Sequence, residues 1–400
     1  MRWSGMRDAG CGMTLRFNHF AVNILMLTGD QGLTDFIRRR IQQTGPVTFA
    51  WFMEQTLYHP KFGYYSSGRC AIGRHGDYFT NVSVGPLFGR MLAAQFAEMW
   101  EVLGRPGDFV IVEQGAHQGD FARDVLEATR ARAPEFFSAL RYRIIEPFPI
   151  LQQRQMETLS GFAGKVRWEK SLADLEPFSG VHFSNELIDA MPVHLLKRNQ
   201  GHWEEKLVTI SGEGFDFVSA PIADETLRRD AEKLPQSLPD DYQIEVNLGA
   251  SDWIRQVSDR LVRGYLLAVD YGYAREKLYA PERGDGALQC YAQHRVLGSP
   301  LGEIGHADIT THVDWTSLAE HGEENGLSVT GFADQHHFFT GLISGLLPAE
   351  FGPQASASTR RALQTLLHPE LLGTTFQFLA LSRNAPVEQL SGFRFARTLL

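Results

Sequence analysis

A chain of 400 residues with 43% hydrophobic and 21% charged residues is long enough for a substantial buried core and too apolar for intrinsic disorder. Its formal net charge of −9 comes without a basic tail or stripe, which excludes a nucleic-acid binder working mainly through phosphate contacts and favours a partner bearing a cationic group. Cys11, Cys70 and Cys290 are too few and too scattered for a disulfide framework or a cysteine zinc site, and no run reaches the roughly 18 apolar residues of a membrane helix.

Residues 1–30 read as an unstructured leader. Arg2, Arg7 and Arg16 with the short apolar patch before Thr28 make a poor targeting peptide, Met13 and Met26 are alternative starts, and a bacterial cytoplasm is the favoured compartment. Helical spacing then recurs over residues 34–44, with the basic cluster Arg38, Arg39 and Arg40, and over residues 48–58 after Pro46. With a Gly-, Tyr- and Ser-rich loop and a helix over residues 87–103 they form an N-terminal extension, residues 31–104. Asp77, Phe79 and Thr80 in that loop are candidates for a lid over a ligand site.

The apolar run Phe109-Val110-Ile111-Val112 stops at Glu113, turns through Gly115 and Gly119 and enters a helical pattern over residues 120–131. Strand, glycine turn and helix in that order let backbone N–H groups approach a ligand at a helix N-terminus, so Glu113, Gly115, Ala116 and Gly119 are candidate cofactor-binding residues. A second strand over residues 141–145 ends at Glu146, whose carboxylate is placed to bridge two ribose hydroxyls. From Gly119 to Glu146 is 146 − 119 = 27 positions. Dinucleotide binders use about 20, so the spacing, with Glu113, favours S-adenosyl-L-methionine over NAD. A helix over 149–159, strands over 165–168 and 181–185, a core strand over 264–272 and a last strand over 376–381 continue an α/β pattern with a parallel, right-handed sheet. The core thus covers residues 105–195 and 261–385. Residues 196–260 break the rhythm with a hairpin, 203–210 and 215–218, and read as an insertion.

Ser184-Asn185-Glu186-Leu187-Ile188-Asp189-Ala190-Met191-Pro192 sits where a parallel strand ends, the place where open sheets bind ligand. Glu186 and Asp189 are three apart and would share a face on a first helical turn, although acids also collect at helix starts for dipole reasons. Asp270 closes the next strand at the same edge, as a third acid or as a turn cap. His294, His306, His312, His336 and His337 match no zinc spacing, and no metal is expected.

Tyr58-His59-Pro60-Lys61-Phe62-Gly63-Tyr64-Tyr65, Gly76-Asp77-Tyr78-Phe79-Thr80, the Ser184 to Val193 block, Val269 to Tyr273, and Asp308-Ile309-Thr310-Thr311-His312-Val313-Asp314 follow one another in an order that resembles the MidA family of class I S-adenosyl-L-methionine-dependent methyltransferases. The resemblance implies a mostly parallel, seven-stranded, Rossmann-like sheet with an N-terminal helical extension and an inserted subdomain. It implies methyl transfer to a protein arginine nitrogen, with a respiratory complex I subunit as acceptor among mitochondrial members, a matrix location for a eukaryotic chain, and room for a homodimer. Carried over by position, Glu113, Gly115 and Gly119 form the methionine-side loop, Glu146 holds the ribose, Ser171 and Leu172 lie near adenine, and Asn185 borders the cofactor. Glu186 and Asp189 would grip the acceptor guanidinium, with Asp270 orienting it. One position departs: the family loop has a third glycine where this chain has His117. A histidine at positive φ costs about 1–2 kcal/mol, which keeps open a second reading, a methyltransferase-fold assembly or scaffold protein with weak or no turnover. A dehydrogenase is a more distant third, lacking the tighter Gly-x-Gly-x-x-Gly turn.

Overall fold

Seven strands pair into the central sheet of the computed structural model, which describes residues 29–69, 80–292, 295–347, 351 and 355–399. Cys11, Cys70, Asp77, Phe79, His294 and the leader through residue 28 lie outside the described residues. In chain order the strands are β1 (Phe109–Gln114), β2 (Leu140–Ile145), β3 (Val166–Glu169), β4 (Phe178–Asn185), β5 (Leu261–Tyr273), β6 (Ser328–Asp334) and β7 (Phe376–Arg383). Their spatial order is β3-β2-β1-β4-β5-β7-β6, and a two-residue strand, Val313–Asp314, beside the end of β5 brings the sheet to eight. β1 to β5 pair in parallel, whereas β7 runs antiparallel to both β5 and β6, so the sheet is mixed and mostly parallel, as expected. β6 escaped the sequence reading because Gly331 interrupts its apolar run. The ladder shifts register there and the Phe393 ring fills the space a Cβ would need.

Residues ahead of the sheet form α1 (Gln31–Thr44), whose first turn is capped by Asp30 accepting from the Leu33 N–H, and α2 (Phe49–Tyr58), capped by Thr48 accepting from the Trp51 N–H. Leu33, Ile37 and Ile41 recur at one-turn spacing on α1 and bury against Phe49, Phe52 and Met53 of α2. The hairpin expected in the insertion is present as His202–Ser211 and Gly214–Pro221. It joins His194–Asn199, Gln243–Val246 and Val47–Thr48 in an antiparallel five-stranded sheet, so extension and insertion share one sheet and one apolar cluster.

On the central sheet, inward residues alternate as a strand period of two requires. Ile111, Tyr142, Ile144, Val181 and Phe183 pack under α3 (Leu87–Val102) and α4 (Asp120–Arg132), and Phe121 stacks on Phe183 with centroids 4.4 Å apart. After β2, α5 (Pro149–Thr158) leads the chain to β3. Val112, Ile145, Leu266 and Ala268 face the opposite way, under α6 (Leu248–Arg260) and α7 (Trp315–Glu324). The strand order reverses between β1 and β4, and the loops leaving their carboxyl ends diverge, opening a crevice there.

Candidate active site

The crevice holds a cavity of about 540 Å³, a volume suited to a small-molecule ligand. Another cavity, about 70 Å³ behind Ile188, has room only for a few waters. Glu113 near the end of β1 and Gly115, Ala116 and His117 from the loop after it line the large cavity, with Ile145, Glu146, Phe148 and Leu151 from the end of β2 onward and Asn185, Glu186 and Leu187 from the end of β4 onward. Tyr58 and Tyr65 of the extension, with Thr80 and Ser83, close the remaining side.

The glycine loop takes the conformation its residues suggest. Gly115 has φ 84° and Gly119 φ 83°, both left-handed, and Gly119 opens α4. His117 also lies at φ 45°, so the substituted position keeps the backbone that a glycine would adopt, and the strain falls on the histidine. The His117 carbonyl accepts from Gln155 Nε2 at 2.9 Å, which holds the turn.

Gln155, fully buried on α5, is the functional side chain that sequence reading missed. Its amide also donates to Glu146 Oε2 at 2.8 Å, and its Oε1 accepts from the Trp168 indole N–H at 2.9 Å. One amide therefore couples the glycine loop, the acid after β2 and β3. A buried glutamine inside a polar helix segment carries no distinguishing sequence signal. Replacement by Leu strips a partner from each of three groups. Gln155→Leu is expected to weaken S-adenosyl-homocysteine binding about tenfold or more by calorimetry, and unchanged affinity would refute the coupling role.

Glu113 is 4% exposed and accepts from the Tyr142 hydroxyl at 2.7 Å; burial pushes its pKa up to about 7, against that bond. Glu146 Oε1 accepts from the Phe148 N–H at 3.0 Å. Burial pushes this acid up to about 7 as well, with the Phe148 and Gln155 bonds opposing. Ser171 and Leu172 are not on the cavity wall: Ser171 Oγ donates to Asp174 and Leu172 is buried in the core cluster under α6. The apolar surface beside Glu146 comes from Ile145, Pro147, Phe148 and Leu151 instead.

The chain after β4 does not begin a helix. Glu186 sits at φ 52° and its N–H donates to the Val269 carbonyl, so residues 186–190 form a bent loop and Glu186 and Asp189 do not share a helical face. Glu186 reaches the cavity wall, where its Oε1 accepts from Asn185 Nδ2 at 2.8 Å and its Oε2 from the Tyr271 hydroxyl at 3.2 Å. Burial pushes Glu186 up to about 8, reinforced by the Asp270 charge and opposed by the Asn185 bond. Asp189 and Asp270 lie behind the loop, outside the cavity lining. Asp270 is fully buried and one of its oxygens accepts from the N–H groups of Leu187, Ile188 and Asp189 at 2.9–3.2 Å. Asp189 is 4% exposed, and burial followed by the charges of Asp270, Glu186 and Asp308 holds its pKa well above the usual carboxylate range. Thr80, the described member of the expected lid, lines the cavity and shares a hydrogen bond with Ser83.

The model of the S-adenosyl-L-methionine-dependent methyltransferase family matches residues 91–333. The chain is 27% identical over 386 residues to "Protein arginine methyltransferase NDUFAF7 homolog, mitochondrial" of Drosophila melanogaster, covering 88% of this chain and 85% of that protein. It is 26% identical to the Homo sapiens protein of corresponding name, covering 90% and 84%. Among solved structures, a superfamily member from Burkholderia thailandensis bound to S-adenosyl-homocysteine superposes with a TM-score of 0.83 at 30% identity, over 91% of this chain and 95% of that one.

Proposed function

The chain belongs to the MidA-type family of S-adenosyl-L-methionine-dependent methyltransferases, and on that premise we propose that it methylates an arginine nitrogen of a protein. The observation that carries the arginine part is Glu186, a carboxylate on the cavity wall with no Lys, Arg or His ion pair among the described residues. The names of the Drosophila melanogaster and Homo sapiens relatives support the same acceptor.

The residues present fit the cofactor. Left-handed Gly115 and Gly119 bring loop backbone close to the cavity, and a Cβ on Gly115 would come within 3.5 Å of Leu187. Each Glu146 oxygen spends one lone pair on the protein, leaving acceptor capacity for two ribose hydroxyls. Glu113 suits a cationic amino-acid end, whose charge would draw its raised pKa down. Ala116 and Asn185 border this space, and Ile145 and Leu151 offer apolar surface for the base. When bound, the cofactor supplies an electrophilic methyl on a sulfonium whose leaving group is neutral.

An arginine guanidinium, protonated up to a pKa above about 12, has no free nitrogen lone pair at neutral pH. Glu186 answers both needs: it accepts N–H bonds that draw charge away from the attacking nitrogen, and it accepts the proton that nitrogen loses. Asp270 acts through the backbone of residues 187–189, holding Glu186 where it points, and Asp189, itself raised by the Asp270 and Glu186 charges, belongs to the same held loop. Both are positioning residues in this reading, with Thr80 on the acceptor side and Asp77 and Phe79 proposed beside it. The acceptor proposed is a protein with a cationic side chain, in the class of a respiratory complex I subunit, met in a bacterial cytoplasm or, for a eukaryotic chain, the mitochondrial matrix. Among the described residues no helix is long and apolar enough to cross a membrane.

Purified protein given S-adenosyl-L-methionine and arginine- or lysine-containing peptides is expected to form S-adenosyl-homocysteine and methylarginine only with the former, read by mass spectrometry. Cofactor binding without product on arginine peptides or on proteins of a respiratory-complex extract would hand the function to the scaffold reading.

A further inference from the structure

The large cavity has an aromatic side to which no step above gives a role. Tyr58, at the end of α2, and Tyr65 come from the N-terminal extension, Phe148 from the start of α5, and all three line the cavity. Tyr65 and Tyr58 stack with centroids 5.6 Å apart and planes 22° apart. Tyr58 and Phe148 lie within 3° of parallel with centroids 6.5 Å apart. Carbon surfaces in contact sit about 3.5 Å apart, so a flat group held between two rings needs about 7 Å, and the near-parallel pair has to part slightly to admit one. Both tyrosines are fixed by their hydroxyls. Tyr58 donates to the Ala190 carbonyl at 2.9 Å, in the loop that carries Glu186, and Tyr65 donates to Asp308 Oδ1 at 2.6 Å.

We infer that Tyr58, backed by Tyr65 and facing Phe148, seats the flat cationic head of the acceptor, so that the extension rather than the methyltransferase core selects a guanidinium over a compact ammonium. Aromatic faces attract cations within about 6 Å, and a planar, weakly hydrated guanidinium stacks where an ammonium cannot. Glu186, lining the same cavity, supplies the partner for its N–H groups. The inference rests on the arginine reading and deepens it.

The test uses the full chain saturated with S-adenosyl-homocysteine, with N-acetyl-arginine amide and N-acetyl-lysine amide as probes in NMR titrations. Tyr58→Leu is expected to weaken the arginine probe about tenfold, Tyr58→Phe to keep most of the affinity, and S-adenosyl-homocysteine affinity by calorimetry to stay within about twofold. Phe148→Leu, on the opposite face of the seat, gives a second reading should Tyr58→Leu fail to fold. Equal losses in Tyr58→Leu and Tyr58→Phe would assign the effect to the hydroxyl bond with Ala190 and overturn the seat. A fall in cofactor affinity with the probe unaffected would assign the rings to the adenine base and overturn it too, as would equal binding of the two probes by the wild-type chain. Preferential arginine-probe binding lost in Tyr58→Leu, without methylarginine formation by the wild type, would leave the seat standing and remove the catalytic reading.

Discussion

Glu186→Gln is expected to lower kcat for methyl transfer by about 10²–10⁴ while S-adenosyl-homocysteine affinity stays within about threefold. The substitution preserves shape, and its amide oxygen can still accept from Asn185 while its NH2 donates to the Tyr271 hydroxyl, but it removes the charge that pairs with a guanidinium and the group that takes its proton. The pH profile carries the same information. Burial pushes Glu186 up to about 8, and only its ionised form can act as base. The wild-type kcat/KM should therefore climb about tenfold per pH unit below 8 and flatten above it, whereas kcat should flatten at lower pH because a bound guanidinium pulls the acid down. A Glu186→Gln enzyme that kept more than about a tenth of wild-type turnover would show that another group takes the proton.

Asp270→Ala is expected to lower the melting temperature by about 5–10 °C. Four N–H groups, those of residues 187–189 and of Tyr271, lose their acceptor, a cost of about 3 kcal/mol after the relief of repulsion with Asp189 and Glu186, and a large domain loses about 2–4 °C per kcal/mol. Asp270→Asn keeps an oxygen for those donors and should melt within a few degrees of wild type. Because the Asp270 charge helps to raise Glu186, the Asn variant should also move the activity profile toward acid, a shift that loss of packing alone would not produce. An Ala variant as stable as wild type, or an Asn variant with an unmoved profile, would remove Asp270 from its positioning role.

The parts of this site legible in the sequence are those encoded over a few neighbouring residues. β1, the left-handed glycines and α4 were readable because an apolar run, a turn and a helical period succeed one another, and Glu146 because it ends the next strand. The two-residue eighth strand and the antiparallel β7 were not, since pairing depends on partners far along the chain. Glu186 and Asp189 were misplaced relative to each other for a local reason: three-residue spacing meets on a helix, and a left-handed Glu186 prevents one from starting. Ser171 and Leu172 came from positional likeness alone, and the described cavity wall runs through Phe148 and Leu151 instead. Gln155 reaches the glycine loop across 38 positions, and Tyr58 and Tyr65 reach their partners across 132 and 243, farther than a window of sequence contains.

The bond from Tyr65 to Asp308 ties positions 243 apart, and that of Tyr58 to Ala190 spans 132. On a growing chain the two tyrosines emerge long before either partner, so α2 can fold while the wall it belongs to is still missing. Loop-closure entropy then places completion of the pocket after the central strands have paired. Binding competence should appear as a late, separate kinetic event in refolding, behind the recovery of secondary structure, because Asp308, the anchor of Tyr65, is made 243 residues after it.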